Sequence, residues 1–483
     1  MIRHRLTRLA LSACVFGVFA SGSASAKDYF LKAERVEIPV QDVDANGAPV
    51  TVMVPMWGYA QCAAKDPNQC GTATVPGPEI TVKENENLSV FVYNDLKTSA
   101  GDHVELDAGR TSFTVAGLRL RLNYGPIFWG PSKFDPAGDP DQPRRVRSMT
   151  QEARPGQWQR YSWLWKQGDL KPGTYIYHSA THPAVQVQMG LYGPMTVLPA
   201  AASEVYHGVS VDAAVDIFYS EIDAAFHADV DKGLDGYNPI PQPGNPAGAR
   251  TSPLVYSPTY YLVNGKPQVD GVFAPTWDDP ASGGVTGAFY DRKTLVRFRS
   301  AALRSRIPMT TGATAFDVIA ETAEPYYAPP GQEVTVAARR QNAILLPALT
   351  TKDAIVQGGK EGATLIVDRA LGETNAGGMN TFLVLPDKLQ VYPPVCTPAG
   401  NLIARVRTNS SLGDQQVINF KISNGTPADD LIINNVPAQA QFAGKWQYRS
   451  ILVNSPFCAP GTVVTLSAMS GSGGFHSDTV TIE

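Results

Sequence analysis

The chain has 483 residues, 43% hydrophobic and 17% charged, with 43 Gly and 38 Pro. That length suits about three domains, each able to bury a core, and low charge with high apolar content excludes a disordered chain. A formal net charge of −4 without a dense Lys/Arg run excludes nucleic acid as the partner.

Residues 1–26 read as an export signal. Arg3, Arg5 and Arg8 form a basic start, an apolar stretch runs from Leu9 to Ala20, and Ala24-Ser25-Ala26 is a small-x-small cleavage site before Lys27. Cleavage after Ala26 predicts a periplasmic or secreted protein whose net charge falls to near −7. No later apolar run reaches the roughly 18 residues of a membrane span, so none is expected in the mature chain.

The spread of Gly and Pro favours many short strands joined by turns, and hence an all-β chain. A first unit, residues 27–200, opens with period-two runs at Ile80-Thr81-Val82 and Leu88-Ser89-Val90-Phe91-Val92. Asn94-Asp95 supplies turn chemistry, and residues 135–142 read as a polar loop. A second unit, residues 201–387, begins with the strand-like run 209–222, while 236–255 is too rich in Pro and Gly for regular structure. A third unit, residues 388–483, carries short alternating runs at Leu402–Val406, Val417–Ile422, Val463–Ser467 and Thr479–Ile482. Their spacing is that of a small immunoglobulin-like sandwich. No repeat of 20–50 residues is present.

Four cysteines follow the leader, an even number for an oxidising compartment. Local pairing joins Cys62 to Cys70 and Cys396 to Cys458. Metal held by these thiols is the competing reading, and no C-x-x-C spacing supports it.

Two segments resemble the N-terminal cupredoxin domain of multicopper oxidases. One is VPGPEITVKENENLSVFVYNDL at 75–96; the other is KPGTYIYHSATHPAVQVQMGLYGPMTV at 171–197. The second unit resembles that family's copper-free second domain through Tyr261–Lys266, Thr294–Arg299, Phe316–Ala320 and Gly377–Leu385. The resemblance spans about residues 50–390 and implies two cupredoxin-like Greek-key sandwich or barrel domains before the third unit. It also implies copper chemistry, which needs a Cys thiolate at one site and about eight imidazoles at another.

The chain departs from that ligand set. After the leader it has six histidines: His103, His178, His182, His207, His227 and His476. Where the family has His-Trp-His-Gly, Thr114-Val115-Ala116-Gly117 stands here. Of the His-Ser-His element only His178 remains, with Ala180 in the second place, and Ser179 stands where related copper proteins carry Cys. Autonomous oxidase activity is therefore not expected. His178 and His182 are the candidate copper ligands, with His103 and Met189 as further candidates. The opposing reading makes His178 a hydrogen-bonded core residue and His182 a loop residue.

His207 and His227 have no partner at ligand spacing, and His476 reads as an exposed loop residue. Asp278-Asp279 reads as a turn. Trp57, Trp129, Trp163, Trp165 and Trp277 read as packing residues. Two functions are thus expected. One is an exported copper-binding protein handling or oxidising metal with partners. The other is a noncatalytic scaffold or adhesion protein, homo-oligomeric or bound to cell-surface proteins, with the third unit as its attachment module.

Overall fold

A computed structural model describes residues 26–483 except 100, 102–108, 120–126, 129–145, 202–203, 212, 233–255, 268–275, 280–283, 287–292, 312–314, 327–336, 358–363, 370–382, 386–388, 409–416, 443–444 and 471–474. Residues 1–25 of the expected leader, both loops at 135–142 and 236–255, His103 and Trp129 therefore lie outside the described residues.

The first unit contains β1 (Ala26–Val43), β2 (Pro49–Cys62), β3 (Ile80–Lys83), β4 (Asn87–Asp95), β5 (Thr111–Ser112) and β6 (Thr114–Val115). It continues with β7 (Ile127–Phe128), β8 (Val146–Ser148), β9 (Glu152–Ala153), β10 (Trp158–Trp163), β11 (Gly173–His178), the short helix α1 (Pro183–Gln186) and β12 (Tyr192–Leu198). Two four-stranded sheets, ordered β10-β4-β1-β2 and β3-β12-β11-β6, face each other. Each mixes one parallel pair, β1 with β4 or β3 with β12, with antiparallel neighbours. Leu31, Trp57, Tyr59, Val90, Phe113, Trp163 and Tyr177 fill the space between them. The Asn94 side chain turns the chain as expected, its Oδ1 accepting from the Leu96 amide at 3.2 Å, and it also braces the unit. Fully buried, its amide ties to the carbonyls of Gly109 and Ala153 at 2.6 and 3.0 Å.

The second unit opens with β13 (Glu204–Tyr206), β14 (Val209–Ser210), β15 (Ala213–Ile222) and α2 (Ala224–Asp231). Then come β16 (Tyr260–Val263), β17 (Lys266–Pro267), β18 (Thr276–Asp279), β19 (Gly284–Thr286), β20 (Lys293–Ser300) and β21 (Pro308–Thr311). It ends with β22 (Phe316–Glu321), β23 (Glu324–Pro325), β24 (Arg339–Gln341), β25 (Thr350–Gln357), β26 (Thr364–Asp368) and β27 (Leu383–Leu385). The main sheet runs β17-β16-β15-β20-β25-β22-β23, and β21-β26-β27 form a second. Val215, Ile217, Val296, Phe298, Phe316, Val318 and Ile366 make its core. Asp278 and Asp279, expected in a turn, lie in β18, which pairs with β19.

At the β16–β17 turn, Asn264 and Gly265 take φ of 51° and 75°, the left-handed region. A Cβ at Gly265 would sit 2.0 Å from the Val75 carbonyl, so only glycine lets this turn press against the first unit.

The first two units are joined by a common apolar cluster and by buried polar ties. Val40, Val54, Met56, Ile176 and Tyr192 pack with Phe218, Ile222 and Leu262. Fully buried Arg299 of β20 donates from Nε to the Tyr175 carbonyl at 3.0 Å and from Nη2 to Thr196 Oγ1 at 2.9 Å. Its Nη1 pairs with Asp216 on β15. Asp353 of β25 accepts from Thr174 Oγ1 at 2.8 Å and from the Tyr206 hydroxyl. The helix α2, unexpected from the sequence, sends Phe226 and Val230 into the first unit's core.

The third unit contains β28 (Leu389–Cys396), β29 (Leu402–Thr408), β30 (Ile418–Ser423), β31 (Leu431–Val436), β32 (Ala438–Phe442), β33 (Lys445–Leu452), β34 (Val463–Ser470) and β35 (Phe475–Thr481). Sheets β28-β29-β33-β32 and β31-β30-β34-β35 pack around Leu402, Val406, Phe420, Tyr448, Leu466 and Ala468. All of this core comes from residues 389–482. Cys396 pairs with Cys458 here, and Cys62 with Cys70 in the first unit. His476 is exposed on β35, not in a loop, and its Nδ1 accepts from the Val391 amide at 3.3 Å.

Two expected outcomes follow. Arg299→Met leaves carbonyls of the first unit without their buried donor, so urea unfolding should lose about 3–5 kcal/mol in the transition of the first two units. The transition of the third unit should not move; a shift of both, or of neither, contradicts the reading. Separately, a fragment from Leu389 should fold alone, and its Cys396→Ser/Cys458→Ser variant should be less stable by about 4 kcal/mol through loss of loop closure, measured by the same titration.

Candidate functional site

The turn after β11 is where the chain brings its candidate ligands into one segment. β11 is buried along its whole length, and the β6 register sets Thr114 directly opposite His178. The chain leaves the strand at Ser179 and enters α1 through His182, which takes a left-handed φ of 44° as the residue before Pro183. This conformation costs a non-glycine residue about 1 kcal/mol or more, so its surroundings hold it. The His182 amide donates to the Arg147 carbonyl at 3.0 Å, and Met149 N to the Ala180 carbonyl at 3.3 Å.

Beneath that turn lies a cluster of buried hydroxyls around one carboxylate. Thr181 Oγ1 is 3.1 Å from Glu152 Oε1, 2.9 Å from Ser112 Oγ and 3.1 Å from Ser148 Oγ. Holding a single proton, Thr181 gives it to the carboxylate, where the bond is charge-assisted, and accepts from Ser112. Ser112 Oγ in turn accepts from the Ala180 amide at 3.0 Å. Ser179 Oγ donates to Gln186 Oε1 at 2.5 Å, and Gln186 Nε2 donates to the Arg110 carbonyl at 2.7 Å. The Glu152 carboxylate is 1% exposed and grips Arg147 through bonds of 2.7 and 3.2 Å, with Arg110 at 3.7 Å. A buried carboxylate is tolerable only when paired and hydrogen-bonded in this way.

The histidines stand in unlike surroundings. His178 is buried, and its Nδ1 donates to the Ser179 carbonyl at 2.8 Å, which leaves Nε2 as the lone-pair nitrogen. Burial pushes its pKa below the ordinary value, and pushes that of half-buried His182 down to about 4. Met189 is fully buried in the apolar core, with its carbonyl accepting from Trp57 N at 2.7 Å. His227, on α2, is fully buried, donates from Nδ1 to the Pro55 carbonyl at 2.9 Å, and is likewise pushed to about 4 by burial. His207 is exposed and 3.1 Å from Glu84, beside a cleft of about 330 Å³ that also holds Lys171, Tyr206 and Glu324.

Against the ligand set that copper requires, these donors do not fit. Both cysteine pairs are disulfides, so the described thiols offer no thiolate. The side chains gathered at the turn after His178 are hydroxyls, a carboxamide and a carboxylate held by arginine. Among the described residues no three His, Cys, Asp or Glu side chains are grouped to hold an ion. The hydroxyl cluster with Glu152, Arg147 and Gln186 was missed from sequence. A signal existed in the paired Thr and Ser at 111 and 112, 148 and 150, and 179 and 181.

No family model and no curated protein matches the chain. Solved structures with a similar arrangement include a multicopper oxidase, mgLAC, at 16% identity and TM-score 0.45, covering 75% of this chain and 86% of that one. Another is the blue copper oxidase from Nitrosomonas europaea, at 14% and 0.44, covering 74% and 85%. The copper nitrite reductase of the same organism stands at 15% and 0.42, covering 75% and 94%.

The buried histidines set a pH dependence. Their folded pKa lies below the unfolded value of 6.5, so the unfolded chain takes up protons first and stability falls as pH drops from 6.5 towards 4. A fully buried histidine contributes about 1.4 kcal/mol per pH unit to that slope. His227→Gln should flatten the curve of urea midpoint against pH by this amount. Parallel curves for the two proteins would show that His227 does not stay neutral.

Proposed function

We propose that the protein is an exported, noncatalytic scaffold built on a pair of fused β-sandwiches of the copper-oxidase kind, with the third unit as its attachment module. One observation carries this reading. Where the resemblance places imidazoles, Thr114 faces His178 across the β6–β11 register and Ala180 gives its amide to Ser112, in a hydrogen-bonded set with Ser148, Glu152, Ser179 and Thr181 that closes the turn after His178. Each of these groups already spends its hydrogen-bonding capacity on a neighbour, and a ligand entering the cluster must break bonds that hold the β11–α1 turn. The buried ties between the first two units serve rigidity in the same sense, since Arg299 bridges them through Tyr175 and Thr196 and Asp353 through Thr174. Export rests on the leader read in residues 1–26 and on the two disulfides. No described helix is long and apolar enough to cross a membrane.

The competing reading is copper at His178 and His182. What favours it is that both imidazoles belong to one turn and are neutral at pH 7, the form that binds metal.

Copper titration of the purified mature protein separates the two. The scaffold reading expects no stoichiometric uptake after desalting, no intense blue absorption, no oxygen consumption with added reductant, and identical behaviour in His178→Ala/His182→Ala. One copper per chain with an EPR signal lost in the double variant would replace the scaffold reading by the copper one.

A further inference from the structure

The outer face of the sheet β28-β29-β33-β32 carries all three arginines of residues 388–483. Register places Tyr392, Arg405 and Arg449 in one cross-strand row, and Gln390, Arg407 and Gln447 in the next. The guanidinium carbons of Arg405 and Arg407 lie 5.7 and 5.8 Å from the Tyr392 ring centre. Arg405 Nε is buried without a hydrogen-bond acceptor. Like charges directly opposite on neighbouring strands destabilise a sheet, and Arg405 opposite Arg449 is such a pair.

A second feature adjoins it. Two residues nearer the disulfide end, Val395, Ile403 and Ile451 form the next row of the same face. Val395 is 46% exposed, Ile451 49%, and Val453, just past the end of β33, is 72% exposed. Segments 396–404 and 450–475 contain no Asp, Glu, Lys or Arg. The acidic groups Asp429 and Asp430 belong to the β30–β31 connection of the opposite sheet, where Asp430 pairs with Lys421 at 2.7 Å.

We propose that this face docks the protein on a bilayer surface rich in anionic phospholipid, with the aliphatic end entering the interface and the arginines meeting phosphates. The spacing fits. Two residues along a strand span about 7 Å, close to the depth of about 5–7 Å of one headgroup layer. Val453 and Ile451 at the hydrocarbon boundary thus put Arg405 and Arg449 at phosphate level. Exposed aliphatics discriminate against an acidic polysaccharide, which gains nothing from them. The inference deepens the scaffold reading by naming what the third unit holds, and it can fail while the copper result stands.

The test is co-sedimentation of the full mature chain with vesicles of phosphatidylglycerol and phosphatidylcholine. Binding to the mixed vesicles, weakened by salt and absent with phosphatidylcholine alone, is expected. Arg405→Gln/Arg407→Gln should lower partitioning about 30-fold, and Arg405→Lys/Arg407→Lys should retain most of it. Val453→Asp should also reduce binding with an unchanged circular dichroism spectrum. No binding by the native protein, or equal binding by the Gln and native forms, overturns the proposal. So does retention on an acidic polysaccharide without vesicle binding, or a change of oligomeric state in Val453→Asp without vesicle binding.

Discussion

The guanidinium of Arg299 holds the first two units to one another. It lies in no contact with water, reaches the backbone carbonyl of Tyr175 and the hydroxyl of Thr196 in one unit, and is neutralised by Asp216 in its own. Bringing a cation into that position is unfavourable unless every donor finds an acceptor. The facing strands β11, β12, β15 and β20 are thus limited to one relative placement. Asp353 repeats the logic with the opposite sign, accepting hydrogen bonds from Thr174 and Tyr206, and its burial raises its pKa. An apolar contact alone, such as Tyr192 with Phe218, permits sliding; directional bonds from buried charges do not.

This placement has a consequence for β11. Its first residues carry the ties to the second unit, and its last residue, His178, opens the turn above the hydroxyl cluster. Rigidity at one end of a six-residue strand is transmitted to the other, and the turn is further stitched to residues 147–149. A metal centre needs ligands whose lone pairs are free to converge. Here the side-chain oxygens of the turn after the histidine are committed to neighbouring donors, and the lone carboxylate answers to two arginines. The same strand geometry that would present ligands instead presents a closed hydrogen-bond set. The third unit stands apart from this logic. Its core draws on its own residues alone, a disulfide closes one end, and its arginines face outward.

Strand content and both disulfides were legible in the chain, because alternation, turn residues and cysteine spacing are local signals. The ligand deficit was legible too, since counting histidines needs no coordinates. Other features were not. Asn94 reads as turn chemistry and does accept from the Leu96 amide, but the second use of its side chain, donating to the carbonyls of Gly109 and Ala153, has no local signal. Asp278 and Asp279 read as a turn and lie in a strand, because pairing with β19 overrides their weak local preference. The helix α2 has only eight residues and a weak apolar face, so its existence depends on packing against β2 rather than on propensity.

The sequence by itself determined the β class, the cysteine pairing and the count of histidines, all of which rest on residue type and short-range order. Tertiary structure alone decided what stands beside His178, which charges bridge the units, and that three arginines share a face. Those outcomes join residues tens to more than a hundred positions apart, such as Ser112 with Thr181 or Tyr175 with Arg299. Only sheet register and sandwich packing bring such pairs within hydrogen-bonding distance, and neither is written in any local stretch of the chain.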